Sequence, residues 1–395
     1  MRVGITGRYH TDDLPEIILQ DISEGLTKID DAGQVTAGLA KSWETNDNGK
    51  TWIFHLDENK FWQDGKKVSS ETVQYSFENV PIERPDSSTL VFRLESPFAP
   101  FPSVVAKSTF KKGLLGTGEW RVVNLSLVGS YVERLSLVNK NGDKKVVKFY
   151  PTEERVKLAF KLGEVDAIYD LIDPKPFDKW GVVKLSQIPD LGRYVAVFFN
   201  TKVGLLGNKD FRQALSYATD KETLSYERAI SPLSPLSWAY NPQVKPYSFD
   251  QERARELIKD MDLPKEQKEN LSIKLTTTPV LLEIAEKVTR NWGEVGVKTT
   301  LQVTSNLPTE YEAFLAIYDI PSDPDQYSTW HSTQLETNIT KYSNPRIDKL
   351  LEDGRLELDQ EKRKAIYFDF QRFLLEDAPA IFLYHPISFS VQREQ

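Results

Sequence analysis

The chain contains no cysteine, which excludes disulfides, thiolate-bound zinc and thiol catalysis together. Only four histidines occur, His10, His55, His331 and His385. They form neither an i,i+4 pair nor an H-E-x-x-H motif, so the chain offers little basis for a zinc or nickel site. No run approaches the ~20 apolar residues needed to span a bilayer. Basic blocks are absent too, and the formal net charge is -8. Nucleic-acid binding relies on Lys and Arg neutralising phosphates, so that class of partner is excluded. There is no G-x-S-x-G elbow, and Ser130 has no neighbouring histidine. Gly113-Leu114-Leu115-Gly116-Thr117-Gly118 resembles a phosphate loop only superficially. No Gly-Lys-Ser/Thr follows, and Glu119 would repel phosphate, so a tight turn is the better reading. The 58 acidic residues leave carboxylate pairs for glycoside cleavage open. Without a recognisable catalytic set, the sequence points away from an enzyme.

What is present is the composition of an ordinary globular protein, with 39% hydrophobic and 27% charged residues. At 395 residues the chain exceeds what one hydrophobic core usually serves, so two lobes are expected. The front third reads as short strands and tight turns. Asn46-Asp47-Asn48-Gly49 and Gln63-Asp64-Gly65 carry turn chemistry, and Trp52, Phe54 and Leu56 alternate between them as a half-buried strand. Ser69-Ser70-Glu71 then offers an N-cap and a first-turn acid for a helix with Val73 and Phe77 on one face.

Further on, the period changes. Leu271, Ile273 and Leu275 alternate as a strand, and Leu281, Ile284, Ala285, Val288 and Trp292 follow at helical spacing. Gly296 stops that helix, and Val297, Thr299, Leu301 and Val303 alternate again. This is a βαβ unit and implies a parallel sheet. Helices are also expected from about Asn208 to Thr219, from a cap at Asp250, and over the segment carrying Ile366, Phe370, Phe373 and Leu374 that Pro379 ends. Ala380 to Tyr384 reads as a short buried strand. Phe314 to Asp325 reads as a buried strand entering a Pro- and Asp-rich loop. In open α/β sheets ligands collect at the carboxyl ends of strands, where Asp319 falls. Asp323 and Asp325 suit turns or helix caps.

Several blocks carry a resemblance to a known family. They are Leu39-Ala40-Lys41-Ser42-Trp43, Gly49 to Leu56, Phe61-Trp62-Gln63-Asp64-Gly65, Gly116-Thr117-Gly118-Glu119-Trp120, Gly163-Glu164-Val165-Asp166, Phe211 to Lys221, and the segment from Asn344 to Tyr384. In this order, over nearly the whole chain, they resemble extracellular solute-binding protein family 5, the peptide, oligopeptide and nickel type that serves ABC importers. Two departures stand out. The distance from Ser76-Phe77 to Gly116-Thr117-Gly118 is much shorter than in the family, and Glu119 stands where the family commonly has Pro.

The resemblance implies an α/β, two-lobed periplasmic-binding-protein-like fold, type II and cluster C-like, with a shortened extra subdomain. The first lobe would comprise 1–200 plus 379–395, including a trimmed β-rich subdomain about 40–145, and the second lobe 201–378. The expected crossings are Val195 to Thr201 and Ala378 to Ile381. The implied function is capture of a short peptide between lobes by hinge closure and its presentation to a membrane ABC permease, without covalent chemistry or a cofactor. Asp319 would receive the ligand's ammonium, with Asp323 as a rival. Tyr9, His10, Trp238, Tyr240, Tyr327 and Trp330 lie near the family's cleft positions, although most aromatics are packing residues. An oligosaccharide ligand, a hydrolase on this scaffold and a ligand-free receptor stay open as alternatives. The resemblance implies a monomer outside the cytoplasm, preceded originally by an export signal and compatible with a lipid-anchored cysteine.

Overall fold

The computed structural model describes residues 1–224, 226–305 and 308–394. The chain divides into two compact units, Met1–Ile188 with Ser388–Gln395, and Pro189–Ile387. It therefore passes between them at 188/189 and at 387/388. The segments Val195 to Thr201 and Ala378 to Ile381, expected at the crossings, lie within the second unit.

The first unit is organised by a seven-stranded mixed sheet. Its strand Arg2–Thr6 runs parallel to both Lys144–Tyr150 and Ala167–Leu171, and helix Glu153–Lys161 connects the latter two. That helix starts where the Thr152 side chain accepts from the Arg155 N–H, carries Glu153 and Glu154 in its first turn, and ends with Lys161. Both charge placements suit the helix dipole. Val156, Ala159 and Phe160 are its buried face. A Cβ on Gly4 would lie 2.4 Å from a Val156 methyl, so glycine lets strand and helix touch. Strands Arg121–Val128 and Tyr131–Val138 extend the sheet as an antiparallel edge hairpin.

A separate four-stranded antiparallel sheet, Ala40–Glu44, Thr51–Leu56, Thr89–Arg93 and Ile82–Asp86, forms its own core around Trp52, Phe54, Phe92 and Phe101. Trp52, Phe54 and Leu56 face inward as their alternation predicts, and Asn48 and Gly49 turn the hairpin at positive φ. The helix expected after Ser69 does not form beyond a single turn, although Val73 and Phe77 still join the core. The carbonyls of Ser70 and Val73 accept from the Arg84 guanidinium, while the Ser70 hydroxyl donates to the Asp86 carbonyl. Tertiary bonds to Ile82–Asp86 thus take the groups a helix would have used. Gln63 fastens the Gly116–Gly118 turn to this region, donating to the carbonyls of Ile22, Gly118 and Trp120 and accepting from the Gly116 N–H. A Cβ on Gly116 would sit 2.2 Å from the Ile22 carbonyl oxygen, and one on Gly118 2.4 Å from that of Asp21. These glycines permit backbone to meet backbone.

The second unit has a six-stranded mixed sheet in the order Glu227–Arg228, Ala380–His385, Arg193–Phe199, Ala313–Asp319, Ser272–Thr277 and Lys298–Val303. The βαβ reading holds: Ser272–Thr277 and Lys298–Val303 pair in parallel, joined by helix Leu282–Glu294, with Gly296 at φ 88° beyond its end. Helix Lys209–Ala218 is capped by Asn208 and Gln251–Asp260 by Asp250, as expected. Every residue of Ala380–His385 is buried.

Helix Gln360–Asp377 ends where Ala378 adopts a left-handed conformation before Pro379. Its inward face differs from the expected one. Phe370 and Leu374 are buried, but Ile366 and Phe373 are only half-buried, and Arg363, Tyr367 and Gln371 replace them. The Gln371 amide donates to the Ala239 and Tyr367 carbonyls and accepts from Ser231 and the Asn241 N–H, so these polar groups enter the core satisfied.

Candidate functional site

Strand Ala313–Asp319 is central in the second unit's sheet. It pairs antiparallel with Arg193–Phe199 and parallel with Ser272–Thr277. Its first four residues are buried and Asp319, at its carboxyl end, is exposed. In register with Asp319 stands Arg193, whose guanidinium instead pairs with Asp190. Asp319 has no ion-pair or hydrogen-bond partner for its carboxylate among the described residues. It is an acid held at a rigid strand end and left available.

The acids that follow are engaged. Asp323 forms a two-pronged pair with Arg363, at 2.9 and 2.5 Å, with side chains 13% and 8% exposed. It also accepts from the Asp325 N–H. Burial lowers the affinity of Arg363 for its proton, but the neighbouring Asp323 charge outweighs this and raises its pKa. Asp325 accepts from Arg355 at 2.9 Å and from the Tyr327 N–H. Burial pushes its pKa up, against the opposing pull of Arg355. Asp323 and Asp325 thus fill the turn-forming role that their loop composition suggests.

The aromatic candidates divide by unit. In the first, the Tyr9 hydroxyl donates to the Thr6 carbonyl and the ring meets Phe149 edge-on. His10 stacks at 4.6 Å on Tyr131, with Nδ1 3.0 Å from the Ser130 carbonyl oxygen. In the second, Trp238 is half-buried, with the Arg363 guanidinium 5.5 Å from its ring and Tyr367 packed edge-on. Tyr240 is half-buried, and burial raises its pKa against the nearby charge of Arg228. Tyr327 lies between the His331 ring, at 4.0 Å, and the Arg355 guanidinium, at 3.9 Å. Trp330 is fully buried against Phe198 and Phe382.

The structure therefore gathers Asp323, Trp238, Arg363 and Tyr367 into one cluster and Asp325, Tyr327, Arg355 and His331 into another. The sequence pattern alone does not single out these arginines. The signal for Arg363 is its place ahead of Tyr367, Phe370 and Leu374 at helical spacing on a buried stripe. Among the described residues no group of three or more His, Cys, Asp or Glu side chains is placed to hold a metal ion. No helix there is long and apolar enough to cross a membrane.

Comparison with known proteins gives the class. The family described as bacterial extracellular solute-binding proteins, family 5 Middle, matches residues 34–338. The chain belongs to this family, with its two-lobed α/β architecture. Among its relatives, the probable D,D-dipeptide-binding periplasmic protein DdpA of Escherichia coli is 24% identical over 89% of this chain and 79% of its own. The oligopeptide-binding protein AppA of Bacillus subtilis is 24% identical over 96% of this chain and 83% of its own. Among solved structures, NikZ from Campylobacter jejuni in complex with Ni(L-His) superposes with a TM-score of 0.80 at 21% identity, covering 100% of this chain and 94% of that one.

Proposed function

We propose that this extracellular solute-binding protein captures a short peptide and delivers it to an ABC permease, acting as a monomer without covalent chemistry. The observation that carries the reading is Asp319, an unpaired carboxylate at the carboxyl end of a buried strand. Such a group suits the ammonium of a peptide's amino terminus, because a charge-assisted hydrogen bond is stronger than a neutral one. The names of relatives support the same class, since DdpA and AppA are called dipeptide- and oligopeptide-binding. Tyr9, His10, Trp238, Tyr240 and Tyr327 are assigned as wall residues. Within the second unit Asp323 backs Trp238 through its pair with Arg363, and Trp330 is packed against Phe198 and Phe382. Hinge closure and a lipid anchor, both implied by the family resemblance, belong to this reading.

The test begins with mass spectrometry of whatever the purified protein releases on denaturation. Recovered short peptides are then titrated against wild type and Asp319→Asn by calorimetry. The expected loss is about tenfold to a hundredfold in affinity, corresponding to one charge-assisted hydrogen bond. Recovered sugars, or peptide affinity unchanged in Asp319→Asn, would overturn the assignment.

A further inference from the structure

The first unit contains a cavity of about 700 Å³ between the start of helix Glu16–Ile22, the segment 107–115 and edge strand Arg121–Val128. Its volume falls within the ~300–1,000 Å³ usual for small-molecule sites. Three cations line it, Lys107, Lys112 and Arg121, against one carboxylate, Asp12. None of the three cations has a side-chain hydrogen bond or ion pair among the described residues, whereas nearby Lys111 is paired with Asp64 at 2.6 Å. In a chain of net charge -8, this local excess of uncompensated positive charge selects for an anion.

The rest of the lining is apolar. Phe110, Leu114 and Leu125 contribute to it, and the edge strand carries the apolar surface onward through Val123 and Leu127, 53% and 49% exposed. A compact inorganic anion would leave this surface against water, and a neutral apolar compound would leave the cations unused. A second groove in the same unit, about 610 Å³ and bordered by helix Glu153–Lys161, lacks this selectivity. Glu133 and Glu164 sit among its cations, and Glu164 forms an ion pair with Lys148 at 4.0 Å.

We infer that the cavity bordered by Lys107, Lys112, Arg121 and Leu125 is a binding site for a monoanionic amphiphile, a carboxylate on an apolar chain. Its carboxylate pairs with the cations and its chain covers the leucine-lined wall. The site is distinct from the residues assigned to the peptide.

Sodium decanoate, kept below its micelle concentration, is the probe, titrated calorimetrically into the full chain at low salt. One-site saturable binding is expected, with acetate failing to bind because it lacks the chain. Lys112→Glu/Arg121→Glu, both at exposed positions, should weaken decanoate about tenfold or more, two exposed ion pairs being replaced by repulsions. A Leu125→Ser variant should weaken it while leaving the cations in place. Peptide affinity should be unchanged in all these variants, so failure of this site is distinguishable from failure of the peptide assignment. Absence of decanoate binding, equal binding by the charge-reversed variant, or tighter binding of a pentaglutamate peptide would overturn the inference. Loss of peptide and decanoate affinity together would overturn the separateness of the two sites.

Discussion

Replacing Arg363 by methionine isolates what the buried pair with Asp323 contributes. Methionine retains most of the aliphatic volume, so packing beside Trp238 and Tyr367 changes little while the charge disappears. Asp323, only 13% exposed, then keeps the Asp325 N–H as donor but loses both guanidinium contacts. The Gly354 carbonyl and the Tyr367 hydroxyl also lose a donor. Breaking a buried pair from one side typically costs 3–5 kcal/mol, because an uncompensated charge is left behind, so ~4 kcal/mol is expected here. Urea unfolding followed by tryptophan fluorescence measures it, since Trp238 and Trp330 report on this unit. The double variant Arg363→Met/Asp323→Leu should recover to within about 1–2 kcal/mol of wild type, because the desolvation cost goes with the charges. A loss below ~1 kcal/mol in the single variant would refute the argument, placing the pair in the range of solvated surface bridges.

Gly116→Ala should destabilise the first unit by about 1–3 kcal/mol through overpacking, because its Cβ would stand 2.2 Å from the Ile22 carbonyl oxygen. Thermal unfolding checks this, and an unchanged midpoint would mean that the backbone contact is loose. His385 is 1% exposed, and burial lowers its pKa despite the Arg193 carbonyl 2.7 Å from Nδ1. The folded state therefore binds its proton less readily than the unfolded state. The resulting stability is complete above the ordinary histidine value of about 6.5 and is lost as pH falls from there through the depressed folded value. His385→Gln should flatten the wild-type decline in unfolding midpoint over that window, and identical slopes would count against the assignment.

Local chemistry made much of the fold legible. Trp52, Phe54 and Leu56 alternate because a strand places successive side chains on opposite faces, and neighbouring Asn48 and Gly49 accept the positive φ the turn requires. Leu282–Glu294 was equally readable, since its apolar period and Gly296 stop lie within one continuous segment. The failures came where distant groups intervened. Ser69-Ser70-Glu71 is a sound helix start in isolation, yet Arg84, fourteen residues from Ser70, takes its carbonyl. Likewise, apolar counting put Ile366 and Phe373 on the inner face of the last helix. It could not foresee that Arg363 and Gln371 would enter the core with every polar group engaged.

The same distinction explains which parts of the candidate site could be read. Asp319 is located by its strand: four buried residues lead to it, and the sheet's geometry places a strand's carboxyl end outside the core. That information lies in the seven residues Ala313–Asp319. The status of Asp323 is encoded forty residues away, in Arg363, and no local pattern in the Pro- and Asp-rich loop reveals it. Trp330 poses the same problem, because a tryptophan in a short loop helix reads as a wall residue until Phe198 and Phe382 close over it. Position along an element is thus a local property, whereas availability depends on every partner the fold supplies. A free carboxylate at a strand end, beside acids already neutralised, therefore discriminates among the candidates in a way that residue type alone does not.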